Sequence, residues 1–144
     1  MNRLLLLPLL LLASCAPQSQ SMQGQPVQVW EGTGRVLLRD QHYRLTFTVN
    51  NQTHDLKGQL ENRTSGDKFE VKGTYLPTQV GATLTAEVSA GEGVNLHASI
   101  LGFGISNVAL KSGALLTGQA VGQTFSGELR INGLAYPISL IRTR

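Results

Sequence analysis

Apolar and polar residues alternate with a period of two along most of the chain from Val27 onward, and no other feature limits the fold as strongly. Within residues 43–49, for example, every odd-numbered residue is apolar and every even-numbered residue is polar. A β-strand places successive side chains on opposite faces, so this segment predicts a strand with one apolar face. Apolar residues at helical spacing do not occur in this part of the chain, which predicts an all-β fold.

Short turns between these segments predict how the strands pair, because directly opposed residues of an antiparallel pair share a face. The strongest signal is Asn132-Gly133, a typical two-residue hairpin turn. Four such turns predict apolar or glycine pairs: Leu38 with Tyr43, Val36 with Leu45 and Gly34 with Phe47 around Asp40-Gln41; Phe47 with Leu56, Leu45 with Gly58 and Tyr43 with Leu60 around Asn51-Gln52; Ala120 with Phe125, Gly118 with Gly127 and Leu116 with Leu129 around Gly122-Gln123; Ile131 with Leu134, Leu129 with Tyr136, Gly127 with Ile138 and Phe125 with Leu140 around Asn132-Gly133. A link at 89–93 predicts two further pairs, Val88 with Val94 and Ala86 with Leu96.

The expected architecture is an all-β, antiparallel up-and-down meander of about ten strands that closes into a small soluble β-barrel. Closure is expected because an open meander leaves two unpaired edges. Several segments of about seven residues are shorter than the strands of a membrane barrel, which favours apolar side chains inside rather than outside. The predicted strands lie near 28–39, 42–50, 54–62, 67–76, 83–89, 94–101, 105–111, 115–121, 124–131 and 134–142.

Glycine recurs at inward positions in the middle of the predicted strands, at Gly32, Gly34, Gly58, Gly73, Gly118 and Gly127. Glycine inside a strand costs stability, and it commonly lets the strand bend or another group approach closely. A second interpretation is that the missing side chains leave room in the barrel. In that case Gly58, Gly73, Gly118 and Gly127 would line a cavity for an apolar ligand.

The N-terminus has the pattern of an export signal. Arg3 is followed by nine residues at 4–12 that are all leucine but one, then by Ala13, Ser14 and Cys15. A positive start, a short apolar run and small residues are typical of a signal peptide, and a spanning helix would need about 20 apolar residues. The residues Leu-Ala-Ser-Cys ending at Cys15 resemble the lipobox of bacterial lipoproteins. The alternative is an ordinary secretory signal followed by a cysteine without a role.

The lipoprotein resemblance implies a diacylglycerol thioether on Cys15, cleavage before this residue and acylation of the new N-terminus. Residues 1–14 would then be the signal peptide, 15–26 the lipidated cysteine and a flexible tether, and 27–144 a single barrel domain. Residues 16–26 carry no charge, and eleven such residues span on average about 18 Å. Ala16 stands where aspartate would signal retention, which in many Gram-negative bacteria implies sorting to the outer membrane.

Composition and motifs exclude several classes of function. Without Arg3, eleven Lys and Arg stand against nine Asp and Glu, too few and too dispersed for nucleic-acid binding. A single cysteine permits no internal disulfide and no cysteine-based metal centre. His42, predicted to lie opposite Glu61, is isolated from His54 and His97, so no metal site is expected. Since no catalytic or cofactor motif occurs either, we expect neither an enzyme nor a cofactor.

Charge is unevenly distributed along the chain. Thirteen charged residues lie between positions 31 and 72, but only three lie between 73 and 127. The second stretch includes Leu101, Phe103 and Ile105, a glycine-flanked aromatic motif in a predicted loop. A weakly charged face with an exposed aromatic residue is typical of a contact surface. Alternatively, Phe103 folds back and closes one end of the barrel.

Two functions follow from these features. The first is a membrane-tethered lipoprotein of the cell envelope that serves as a non-enzymatic interaction or structural module, with a protein as its partner. The second is a small carrier whose barrel binds an apolar or lipid-like ligand. They differ in whether the interior of the barrel is filled.

Overall fold

The computed structural model describes residues 25–36, 38–90 and 114–144. Eight antiparallel strands follow one another in chain order and close a barrel. The strands are β1 (Gln28–Val36), β2 (Arg39–Val49), β3 (Asp55–Asn62), β4 (Asp67–Pro77), β5 (Gly81–Ala90), β6 (Ala114–Val121), β7 (Thr124–Ile131) and β8 (Leu134–Arg142).

Closure joins the first strand to the last. Gly32 of β1 lies opposite Leu140 of β8, so the described sheet has no open edge. The prediction of an all-β antiparallel meander that closes into a barrel is therefore confirmed. The described residues form eight strands instead of about ten, because the predicted strands near 94–101 and 105–111 lie outside them.

The barrel closes without those two strands, since β5 pairs with β4 along one edge and with β6 along the other. Val88 lies opposite Val71 and Ala114, and Ala86 lies opposite Gly73 and Leu116. The predicted pairing of Val88 and Ala86 with positions 94 and 96 is therefore wrong. Both edges of β5 are already occupied at these two residues.

The two C-terminal hairpins have the predicted registers. Around Gly122-Gln123, Gly118 lies opposite Gly127, and around Asn132-Gly133, Gly127 lies opposite Ile138. Asn132 and Gly133 have φ values of 50° and 81°, as a type I′ turn requires. In both hairpins the local turn residues therefore determine the pairing.

The β1–β2 hairpin has a different register from the predicted one. Its turn includes Leu38 and precedes Asp40-Gln41, and Tyr43 lies opposite Gly32 rather than opposite Leu38, a shift of six residues. Asp40 is instead part of β2, where it lies opposite Arg35 and accepts a hydrogen bond from Arg35 Nε at 3.1 Å. Because the shift is an even number of residues, the side chains within both strands keep their predicted faces, but Leu38, which was predicted to face inward, lies in the turn and is exposed.

The β2–β3 register differs from the prediction by two residues. Phe47 lies opposite Gly58 rather than Leu56, because the connection spans residues 50–54 instead of a two-residue turn. The Asn50 side-chain oxygen accepts hydrogen bonds from the backbone N–H groups of Gln52 and Thr53, at 2.8 and 3.1 Å. This side-chain bonding makes Asn50 the first residue of the turn. His54 consequently lies in the turn rather than at the start of a strand.

Apolar side chains fill the barrel, and polar side chains cover its outer face. The Trp30 and Phe125 rings meet edge to face with centroids 6.5 Å apart, and the Phe47 and Tyr75 rings are 5.4 Å apart. The largest fully buried side chains are Trp30, Tyr43, Phe47, Phe69, Phe125, Leu45, Leu56, Leu60, Leu84, Leu116, Leu129 and Leu140. The interior therefore has the apolar character expected from the alternation.

The meander gives the barrel two distinct ends. At the entry end, residues 25–27 lead into β1, and the same end carries 143–144 and the connections 50–54, 78–80 and 122–123. At the far end lie Leu38, the turns 63–66 and 132–133, the last residue of β5 and the first residue of β6. Both ends of the described chain lie at the entry end because the number of strands is even.

Candidate functional site

The weakly charged stretch of the sequence becomes a continuous outer surface in the barrel. Consecutive strands are neighbours, so charges cluster on β2–β4, whereas β5, β6 and the start of β7 form an adjacent, weakly charged face. Among the described residues of that face, only Glu87 is charged. Its outward side chains are Thr83, Thr85, Glu87, Ser89, Leu115, Thr117, Gln119, Val121, Thr124 and Ser126.

Hydroxyl and amide groups on this face are ordered in cross-strand rows. Thr74, Thr85 and Thr117 lie in one row, and Thr83 and Gln119 lie opposite one another in the next. Such groups donate and accept hydrogen bonds without a formal charge, and they suit contact with a polar partner better than acid-base chemistry. The face is thus a candidate binding surface.

The residues predicted for the interaction loop and for lipidation lie outside the described residues. These are Leu101, Phe103, Ile105 and Cys15. The strand before the loop ends at Ala90 and the strand after it begins at Ala114, both at the far end beside the weakly charged face. The loop itself stays a prediction.

A second candidate site is an open groove of about 690 Å³ on the outer surface. Its lining includes Glu31, Arg63 and Ile141. The Glu31 carboxylate accepts hydrogen bonds from Arg44 Nε and from Arg63 Nη1, the latter at 3.3 Å. One carboxylate thus bridges two guanidinium groups, and Glu61 lies opposite Arg44 on its other side. Sequence reasoning missed this cluster because the predicted β1–β2 register did not place Glu31 opposite Arg44.

The histidines form no metal site among the described residues. His42 lies opposite Thr33, whereas Glu61 lies opposite Arg44, so the predicted contact of His42 with Glu61 is wrong. The predicted contact is wrong because the predicted β2–β3 register differs from the observed one by two residues. Within 25–36, 38–90 and 114–144, no group of three or more His, Cys, Asp or Glu side chains is placed to hold a metal ion. His97 lies outside the described residues.

Neighbouring strands occupy the space beside the inward glycines. A Cβ atom added to Gly58 or Gly73 would lie 2.0 Å from the carbonyl oxygen of Thr46 or Thr85, respectively. At Gly127 the nearest atom would be Thr117 O at 2.1 Å, and at Gly118 it would be Phe125 Cζ at 2.5 Å. The four glycines therefore allow close approach of adjacent strands and of one ring. A ligand cavity at these positions stays a prediction, and this geometry does not favour it.

Polar groups of the described interior include Tyr43, Tyr75 and one amide pair. Burial raises the pKa of Tyr43 to about 12. Burial also raises the pKa of Tyr75, and the nearby positive charge of Arg142 partly offsets this effect. At the far end the buried Asn62 Nδ2 donates a hydrogen bond to Gln41 Oε1 at 3.3 Å. Both phenols are neutral at ordinary pH and serve packing rather than proton transfer.

Comparison of the chain with protein-family models, with curated proteins and with solved structures finds no match. The described part of the chain contains no helix that is long and apolar enough to cross a membrane. The fold therefore defines a class, a small closed antiparallel β-barrel, and the function has to be inferred from this chain's own residues.

Proposed function

We propose that this protein is a lipid-anchored component of the bacterial cell envelope whose barrel serves as a non-enzymatic interaction or structural module. The observation that carries the proposal is the Leu-Ala-Ser-Cys motif ending at Cys15, directly after the leucine run at 4–12. Cys15 is the single cysteine of the chain, so an internal disulfide does not explain it. Only residues 16–27 separate it from β1, which keeps the barrel close to the membrane.

The filled interior favours an interaction module over a carrier. A site for a small apolar molecule typically needs about 300 Å³ or more. Among the described residues, the buried side chains of the core are at most 3% exposed, which supports a packed interior. A closed barrel as a fold is compatible with a carrier. The close contacts between strands at the inward glycines, however, support a packed core.

The weakly charged face is the surface that this function would use. It combines hydroxyl and amide groups on β5 and β6 with the points where segment 91–113, which contains Phe103, joins the barrel. Binding surfaces are depleted of charge at their centre and enriched in aromatic residues. The partner expected on this basis is another protein of the envelope.

Intact-mass measurement of the membrane-extracted protein tests the lipid anchor. We expect a chain that begins at Cys15 and carries the added mass of a diacylglycerol thioether and an N-terminal acyl group. The matched control is Cys15→Ala, which should remain unprocessed and unacylated because alanine has no sulfur on which the thioether could form. A mature chain that begins elsewhere, or one with a free thiol at position 15, would contradict the proposal. An additional apolar compound in the native mass spectrum would favour the carrier.

A further inference from the structure

Exposed apolar side chains are concentrated at the entry end of the barrel. The described residues include seven exposed large hydrophobic side chains, and five of them lie at this end. The five are Val27, Leu76, Val80, Val121 and Ile141, and their exposed fractions range from 47% to 70%. The other two, Leu38 and Leu134, lie in or next to turns of the far end.

Three of these side chains form an arc along the rim. Val121 and Ile141 lie in one cross-strand row on either side of Thr124. Val80 precedes Gly81, which lies opposite Val121. The apolar groups therefore lie on one side of the rim, over neighbouring strands and the connection beside them, with Thr124 between Val121 and Ile141.

Charged side chains have the opposite distribution. Among the described residues that lie in turns, in chain ends or within one residue of a strand end, eight charged residues are at the far end and three are at the entry end. Those at the far end are Arg35, Arg39, Asp40, Glu61, Arg63, Asp67, Lys68 and Arg130. Those at the entry end are Asp55, Arg142 and Arg144. The entry end thus combines apolar groups with two arginines, whereas the far end is rich in charged residues.

The position of the anchor determines which end faces the membrane. Ten residues lead from Cys15 to Gln25, and the predicted flexible tether would at this length span on average about 17 Å. A nine-residue strand is about 30 Å long, so with a tilt of about 40° the barrel is roughly 23 Å high. The tether therefore holds the entry end nearest the bilayer, and contact through the far end would require stretching it.

We infer that the entry end docks on the surface of the lipid bilayer, with Val80, Val121 and Ile141 in the interfacial region and Arg142 and Arg144 next to anionic headgroups. This inference rests on the proposed lipidation of Cys15. A short tether raises the effective concentration of the attached domain at the membrane to about the millimolar range. A rim of a few apolar groups, too small to bind from solution, is then sufficient to orient the barrel.

Site-specific fluorescence in the full lipidated protein tests this orientation. Val80→Cys and Leu38→Cys place a thiol-reactive dye at the entry end or at the far end. The proteins are reconstituted in vesicles of phosphatidylethanolamine and phosphatidylglycerol that contain a lipid-linked nitroxide quencher. We expect the nitroxide to quench the dye at position 80 and to leave the dye at position 38 bright. Equal brightness at both positions, or quenching at 38 alone, would overturn the docking.

A paired substitution shows whether the apolar rim causes the contact. With the dye at Leu76→Cys, Val80→Asp together with Val121→Asp should abolish quenching, because two carboxylates oppose the interfacial position and the anionic lipid. The matched control, Leu38→Asp with Leu134→Asp, removes two exposed apolar groups from the far end and should leave quenching unchanged. Melting curves identify any variant that is unfolded. Quenching that survives the rim substitutions in a folded protein would refute the inference.

The same labelling distinguishes failure of docking from failure of the anchor. A diacylglycerol thioether blocks the Cys15 sulfur, so the unsubstituted protein should take up no dye and should stay with the vesicles. Uptake of dye by the unsubstituted protein would contradict the anchor and the docking with it. If the unsubstituted protein takes up no dye and stays with the vesicles, but the dye on the Val80→Cys variant stays bright, docking alone is refuted. Binding of another protein at position 80 would refute it as well.

Discussion

Gly127→Ala tests whether the barrel needs its inward glycines for contact between strands. Gly127 of β7 lies directly opposite Gly118 of β6. The added methyl group would lie 2.1 Å from Thr117 O and 2.8 Å from Gly118 Cα, and both are backbone atoms that no side-chain rotation moves aside. Its φ angle is not in the positive range, so the effect would be steric rather than conformational.

The cost follows from the distance that the strands must separate. A carbon atom approaches a carbonyl oxygen to about 3.3 Å, so the 2.1 Å contact requires a movement of roughly 1.2 Å. Two ladder hydrogen bonds of about 2.9 Å would then exceed the limit for a hydrogen bond, at about 1 kcal/mol each. Overpacking adds about 1–3 kcal/mol. We expect a total loss of about 3–5 kcal/mol, or at least about 10 °C in Tm for a domain of this size.

Thermal and urea unfolding, followed by circular dichroism, measure this loss. The matched control is Gly133→Ala, because Gly133 has φ 81° and a Cβ atom there would meet nothing within 4 Å. That substitution should cost only about 1 kcal/mol, from backbone strain. A Gly127→Ala barrel that unfolds no earlier than the control would refute the reasoning, and it would show that β6 and β7 leave room for a side chain.

Two further predictions concern polar groups of the interior. Burial raises the pKa of Tyr43 from 10 to about 12, which favours the neutral phenol in the folded state. Ionisation of Tyr43 should therefore not change the free energy of unfolding below pH 10. It should lower this free energy by about 2–3 kcal/mol as the pH rises to 12. Tyr43→Phe should remove this loss in urea titrations at a series of pH values, and an equally steep decline in the variant would contradict the assignment. Asn62→Ala should cost about 1–3 kcal/mol, because the Asn62 side-chain oxygen accepts hydrogen bonds from the backbone N–H groups of Thr64 and Ser65 and its amide donates to Gln41. Urea midpoints measure it against Asn51→Ala, an exposed turn residue, and equal midpoints would argue against a stabilising role for the buried amide.

The two-residue period that makes the faces of the side chains predictable leaves the register of the strands partly undetermined. Alternation assigned Tyr43, Leu45 and Phe47 to the interior, and all three are buried. A register that shifts by two or six residues brings the same faces together, so the pattern alone did not distinguish Gly32 from Leu38 as the partner of Tyr43. The turns with a strong local signal, Gly122-Gln123 and Asn132-Gly133, were predicted correctly because their backbone angles are a property of the turn residues themselves.

Of the two candidate surfaces, one could be predicted from the sequence and the other could not. The weakly charged face was foreseeable, because a meander places consecutive strands side by side and so converts a stretch of sequence into a surface. The Glu31 cluster was not, because its arginines come from β2 and from the turn after β3, and their positions depend on two registers.

The sequence by itself determined the strand class, the face of the side chains in the middle of each strand and the two strongest turns, because these depend on residues that are neighbours along the chain. Only the tertiary structure decided which residues of β1 and β8 face each other where the barrel closes, the contact of each inward glycine with the next strand, and the collection of apolar groups at the entry end. Each of these depends on the distance between strands that the chain brings together only when the barrel closes.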